Sequence, residues 1–165
     1  MDKNFIDKLR NEAIHKDITV NTLVSQIIKC HIDWHSNASK AGFISVRRGF
    51  LIKLMEKLSE QDISDISKNM AKNETKSFVL LLRNKYDIGS SVDVIDNWIK
   101  ISGYSYRHEN SADTHSYVIQ HDMGRKMSLY LAEVYRYLFQ EFNIRKVTFD
   151  LNDNTLSFVV DIQSS

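Results

Sequence analysis

The sequence predicts an α+β protein: a helix pair at the front, a small helical bundle in the middle, and an antiparallel ββαββ unit at the end. Three observations predict this. Residues 3–35 repeat apolar side chains at three-and-four spacing, the signature of amphipathic helices. Residues 43–102 stay in helical period, with capping residues between the runs. Residues 104–162 change to alternation of apolar and polar residues on either side of one long helical stretch.

The first helix is expected over Lys3–Lys16, capped by Asp2 or Asn4 and burying Phe5, Ile6, Leu9 and Ala13. The second is the most legible in the chain, Ile18–His35. Thr19 caps it through its side-chain oxygen, and Val20, Leu23, Val24, Ile27, Ile28 and Ile32 share one face. Helices of about a dozen residues are marginal alone in water, so this face needs a partner, either the rest of the chain or a second copy.

Ser36–Gly42 reads as a polar hinge, which divides the chain into domains 1–36 and 37–165. Phe43–Arg47 reads as a short strand or an extended entry. Helices follow over Phe50–Leu58 and Ile63–Lys72, the latter opened by a Ser59/Asp62 capping box with Ile63, Ile66 and Met70 inward. Another spans Glu74–Tyr86, whose Phe78–Leu82 run is apolar all round and expected buried. Ser90 with Asp93 caps a last short helix bearing Val92, Ile95, Trp98 and Ile99. Tyr104–His108 and His115–His121 then form a hairpin through the segment ENSADT. A helix spans Gly124–Phe142, and strands Arg145–Leu151 and Leu156–Ile162 join through the Asn152-Asp153-Asn154 turn.

Composition bounds the function. At 42% hydrophobic and 26% charged residues the chain fits a folded globular protein rather than a disordered one. The net charge of +1 gives no global field toward nucleic acid or membrane, yet it is uneven. Residues 1–58 carry ten Lys/Arg against six Asp/Glu, and the remainder twelve against fifteen. One cysteine, Cys30, permits neither an intrachain disulfide nor a multi-cysteine zinc site. No apolar run approaches a membrane span, and a charged Met1–Asp17 is no signal peptide, so a cytoplasmic location is expected.

The stretch NFIDKLRNEAIHKDITVNTLVSQIIKCHIDWH resembles the helix pair of ribbon-helix-helix regulators, the Arc/MetJ/CopG superfamily, in its first helix, its tight turn and the Ile18–Val24 start of the second helix. The resemblance covers about the first 35 residues. It implies a homodimer in which paired N-terminal strands read the major groove and the start of the second helix holds a phosphate. Carried over, Thr19, Val20 and Asn21 form the phosphate clamp, and Leu23, Val24, Ile27, Ile28 and Ile32 the dimer interface. Lys3, Lys8 and Arg10 add sequence-independent phosphate contacts. The pattern departs at the ribbon. A strand needs about five to seven residues, and only four precede Phe5. Either the start lies upstream of Met1, or the module keeps the helices without the reading strand.

Several constellations carry chemistry. His31 and His35, with Cys30 or Asp33, have chelating spacing; the alternative is exposed polar residues late in a helix, and no metal site or cofactor is expected. His115, Tyr117 and His121 share a strand face, with His108 across the hairpin. They line a ligand pocket or form a pH-sensitive cluster, or they are solvated residues at a sheet edge. The segment His121–Lys126, with Arg125, can hold an anionic group at a helix start, or it is a turn capped by Asp122. Tyr130, Tyr135, Tyr137, Phe139 and Phe142 wall an apolar pocket or form core. No nucleophile elbow, triad order or dinucleotide fingerprint is present. The expectation is therefore a non-enzymatic, DNA-binding homodimeric regulator whose C-terminal domain binds a small-molecule effector or drives assembly. The alternative is a dimeric sensory or interaction protein that does not bind DNA.

Overall fold

The computed structural model describes residues 2–111 and 113–162, and the fold is α+β. The chain divides into two compact units at Ile44/Ser45. The division falls after the hinge read at Ser36–Gly42, because that stretch belongs to the first unit. Ser36 Oγ donates to the Ile32 carbonyl (3.1 Å), Phe43 N–H donates to Ala38 (2.9 Å), and the Phe43 ring meets Trp34 edge-on at 5.2 Å.

The first unit holds α1 (Lys3–His15), α2 (Val20–Cys30), a π-helical turn (His31–His35) that continues α2, and α3 (Ser36–Ala38). Asp2 caps α1 through the Asn4 amide (3.0 Å), and Asp17 turns the chain at φ 52°. The core of this unit is small: Ala13, Leu23, Trp34 and Ala38. Phe5, expected inside, is 57% exposed, and Ile6 and Leu9 are only half-buried. Two short helices offer too little surface to cover both of their apolar faces.

Residues 43–47 have no regular secondary structure and pair with no strand among the described residues; the boundary between the units falls within them, and the second unit opens at Ser45. It comprises α4 (Arg48–Lys57), α5 (Glu60–Arg83), α6 (Ile88–Ile101), β1 (Ser105–Ser111), β2 (Thr114–Gln120), α7 (Arg125–Glu141), β3 (Val147–Leu151) and β4 (Thr155–Asp161). The two helices expected over 63–72 and 74–86 are one, α5. Neither Gly nor Pro interrupts the run, and Asn73 donates to Asn69 along the same face (2.6 Å). Its capping box forms, with the Asp62 amide on Ser59 Oγ (3.1 Å) and the Ser59 amide on Asp62 Oδ2 (2.8 Å).

The face that α5 buries is Ile63, Ser67, Ala71 and Val79, so of the residues expected inward only Ile63 is buried. Ile66 and Met70 are exposed, and within Phe78–Leu82 only Val79 is buried. Small residues let α5 lie close to α7. The next helix starts earlier than expected, because Asp87 rather than Ser90 is the cap: Ser90 N–H donates to Asp87 Oδ1 at 2.7 Å.

The sheet is antiparallel in the order β1-β2-β4-β3. The hairpin strand β1 runs to Ser111, into the segment expected to be loop, whose Ala112 lies outside the described residues. Tyr117, Phe158 and Phe149 stand in register across three strands. Their rings follow one another at 4.7 and 5.5 Å. Against this face pack Met127, Leu131, Tyr135, Leu138 and Phe139 of α7 and Ile95 and Ile99 of α6. The aromatic stripe is therefore core at Tyr135 and Phe139 and only half-buried at Tyr130, Tyr137 and Phe142. Among the described residues no helix is long and apolar enough to cross a membrane.

Candidate functional site

In the first unit, Thr19 has extended backbone, and its Oγ1 accepts from the Thr22 amide at 3.0 Å. Thr19 carbonyl takes the Leu23 amide (3.0 Å). Helix geometry leaves the Val20 and Asn21 N–H groups as the donors that point out of the helix end. The structure does not gather the other phosphate candidates there. Lys3 stands at the far end of α1, about 18 Å from the turn at a rise of about 1.5 Å per residue. Arg10 is paired with Asp7 (3.3 Å). Lys16, the C-cap of α1 and three residues before Thr19 in the chain, is held by Glu12 at 2.7 Å; it was not among the expected phosphate contacts. Behind the helix start, α2 buries only Leu23 of its apolar face, while Val24 is half-buried. Ile27, Ile28 and Ile32 are 46%, 53% and 62% exposed.

His31 and His35 lie exposed in the π turn, and Asp33 pairs with Lys29 (2.8 Å). Among the described residues, no three His, Cys, Asp or Glu side chains converge to hold a metal.

In the second unit the sheet face brings together a connected polar group that the sequence showed only in part. Asp96 of α6 accepts from Tyr117 Oη (2.8 Å) on one carboxylate oxygen and meets His108 Nδ1 (3.2 Å) on the other. His108 Nε2 meets His115 Nδ1 at 2.8 Å. The rings are layered: His108 on Tyr117 at 3.9 Å, His115 on His108 at 5.0 Å. Strand register produces this, since His108 sits opposite Tyr117 in the β1–β2 ladder and His115 lies one pleat along on the same face.

A carboxylate can only accept from an imidazole, so His108 Nδ1 carries a proton. In the neutral pair His108 Nε2 then accepts from His115 Nδ1–H. Burial holds the His115 imidazole below its usual range, and the neighbouring His108 adds to this. Burial also pushes the Tyr117 phenol up, as does its bond to Asp96. It therefore stays a donor.

The reading of these histidines as solvated edge residues is thus overturned: His115 and His121 are both buried, because the pleat that points them inward lies under the helices. Asp96 is the member that sequence reasoning missed. Its signal was an acid four residues after Val92, on the margin of an apolar helical face.

His121 does not join this group. It lies about 20 Å along from His115 at strand rise, just past the end of β2. There its Nδ1 accepts from the Met123 amide (3.1 Å), so Nε2 carries the proton and donates to Ser128 Oγ (2.8 Å). Ser128 in turn donates to the Asn152 carbonyl at 2.5 Å. Burial holds His121 below its usual range. This latch ties the end of β2 to α7 and the β3–β4 turn.

Arg125 and Lys126 are not arranged for an anion. Arg125 donates to the Leu151 carbonyl (2.9 Å) and faces Glu60 (3.6 Å), and Lys126 donates to the Glu56 and Leu58 carbonyls at the end of α4. Asp122 does not cap α7. It stands at φ 55° beside Gln120, and Gly124, at φ 83°, begins the helix without a side-chain cap.

A polar groove between α5 and α7 holds about 590 Å³ and is lined by Lys68, Lys72 and Arg136 around Glu133. Glu133 is already held by Arg136 and by Lys68 (3.9 Å). Compared with known proteins, the chain matches no family model, and no curated protein is significantly similar to it.

Proposed function

We propose that the protein is a homodimeric regulator in which the first unit pairs with a second copy and docks on duplex DNA, while the second unit carries sensing or assembly. The observation that supports this best is the open apolar face of α2 directly behind a helix start with outward amides. Ile27, Ile28 and Ile32 stand about half exposed among the described residues, and two copies facing each other would cover them. Pairing also doubles the modest positive charge of the front of the chain, and phosphate contacts would supply a sequence-independent, salt-sensitive affinity.

A binding role is favoured over catalysis because the Ser128–His121 pair is wired against nucleophilic use. The serine proton goes to a carbonyl, and the imidazole donates to the serine.

Filter binding to duplex DNA at low and moderate salt tests the reading, alongside light scattering of the purified chain. The expected result is a dimer whose DNA affinity falls steeply with salt. A monomer, or no binding at low salt, would overturn it. The second reading keeps the dimer and drops DNA. It is favoured by the buried ionisable network of the second unit, and thermal stabilisation by a ligand together with indifference to DNA would select it.

A further inference from the structure

We propose that the Asp96–His108–His115–Tyr117 chain is a proton-responsive latch between α6 and the β1–β2 hairpin, in which the two imidazoles take up one proton between them and a second proton opens the contact. The inference stands apart from the DNA reading, since it concerns the second unit alone.

The geometry dictates the order of events. In the neutral state the bonds run Asp96 Oδ2···H–Nδ1 of His108, then His108 Nε2···H–Nδ1 of His115, so the chain ends at the bare Nε2 of His115. His115 keeps 7% of its surface open. A proton from solvent adds to His115 Nε2, and the proton on His115 Nδ1 crosses the 2.8 Å bond to His108 Nε2. One N–H bond forms and one is exchanged. The result is a neutral His115 in its other tautomer and a His108 cation against Asp96.

The positive charge thus settles beside the carboxylate rather than at the more deeply buried ring. A second proton has one site left, His115 Nδ1. It would set two cations face to face across that bond, with the rings stacked at 5.0 Å. Like charges at that range cannot both persist under burial.

The surroundings reinforce this order. Asp96 comes from α6, Tyr106 and His108 from β1, His115 and Tyr117 from β2, and Tyr135 from α7; β4 contributes the apolar Leu156, Phe158 and Val160 to the same face. Among the charges acting on His115 is the Asp96 carboxylate, which opposes the effect of burial, and Tyr117 Oη holds its other oxygen (2.8 Å). Both shifts already described run the same way: His115 resists charging, and Tyr117 stays protonated.

Two-bond proton–nitrogen NMR on the full chain, from about pH 8 to about pH 5, reads the tautomers directly. The expected result is joint titration of His108 and His115, with His115 switching from the Nδ1–H to the Nε2–H form as the pair gains one proton. At lower pH, amide exchange in α6 and β1 should rise before that in β4. Asp96→Asn should abolish the joint step and leave His115 in a single tautomer. Independent titration of the two rings in the native chain, or an unchanged His115 tautomer until the whole unit unfolds, would overturn the proposal even if the Asp96 variant fails to fold.

Discussion

Single atoms decide which buried groups stabilise this protein. Tyr135 Oη is buried without a hydrogen-bond partner among the described residues. An unsatisfied hydroxyl costs desolvation and returns nothing, so Tyr135→Phe should leave the urea midpoint unchanged or raise it by up to about 1 kcal/mol in stability. Tyr117 is the opposite case. Its hydroxyl donates to Asp96, and Tyr117→Phe should cost about 1–3 kcal/mol, read as a lower midpoint at constant slope. A stabilised Tyr117→Phe would show that the Asp96 contact contributes nothing.

The histidines fix the sign of the pH dependence. His115 and His121 are both held below the usual imidazole range, chiefly by burial. The folded state therefore binds fewer protons than the unfolded chain once the pH falls toward about 6.5. Their contribution is fully present above that value and is lost as the pH drops through the window down to the lowered folded values. Urea titrations at about pH 7.5 and about pH 5.5 should show the loss, and His121→Gln should flatten part of it. Stability that rises on acidification through this window would contradict the assignment.

At the scale of the element, α2 and α5 show what amphipathic pattern does and does not say. Of the apolar face expected on α2 only Leu23 is buried, and Ile27 and Ile28, with Ile32 of the π turn that follows, stay open. Ile28→Asp sets a charge on that face without touching the buried Leu23. It should leave the helix content intact and shift the light-scattering mass to that of a monomer. An unchanged mass would show that this face does not form the proposed dimer contact.

In α5 the pattern misleads. Ile63 with Ile66 and Met70 is a plausible helical stripe, but close packing on α7 selects Ile63 together with Ser67 and Ala71, and the small side chains of the last two admit the neighbouring helix. Ala71→Leu should therefore destabilise by about 1–3 kcal/mol through overpacking, whereas Met70→Ala should be nearly silent in a thermal melt.

The molecule as a whole consists of two units with different sources of stability. The second has a continuous core from the sheet through α7 to α6. Among the described residues, the first has four buried apolar residues and leaves Phe5, Ile14, Ile27, Ile28, Ile32, Phe43 and Ile44 exposed. Cleavage in residues 43–47, within which the boundary between them falls, should release a C-terminal fragment that unfolds cooperatively and is monomeric in sedimentation. A fragment that fails to fold would show that the second unit depends on the first.

Much of this organisation was legible in the chain itself. Local chemistry determined the Asp2, Thr19 and Ser59 caps, the change from helical to alternating period near Tyr104, the two hairpins around α7, and the apolar face of α2. Each depends on residues within a few positions of one another, where backbone geometry leaves few choices.

Only the tertiary structure decided the rest. It fused two expected helices into α5 and chose which of its faces to bury. It moved the cap of α6 to Asp87 and separated His121 from His115. It also brought Asp96, from another element, onto the His108–His115 pair. Those outcomes depend on packing between elements distant in sequence, and on a sheet register that aligns His108 with Tyr117 under α6. A one-dimensional pattern carries the periodicity of each element but not the surface it will meet.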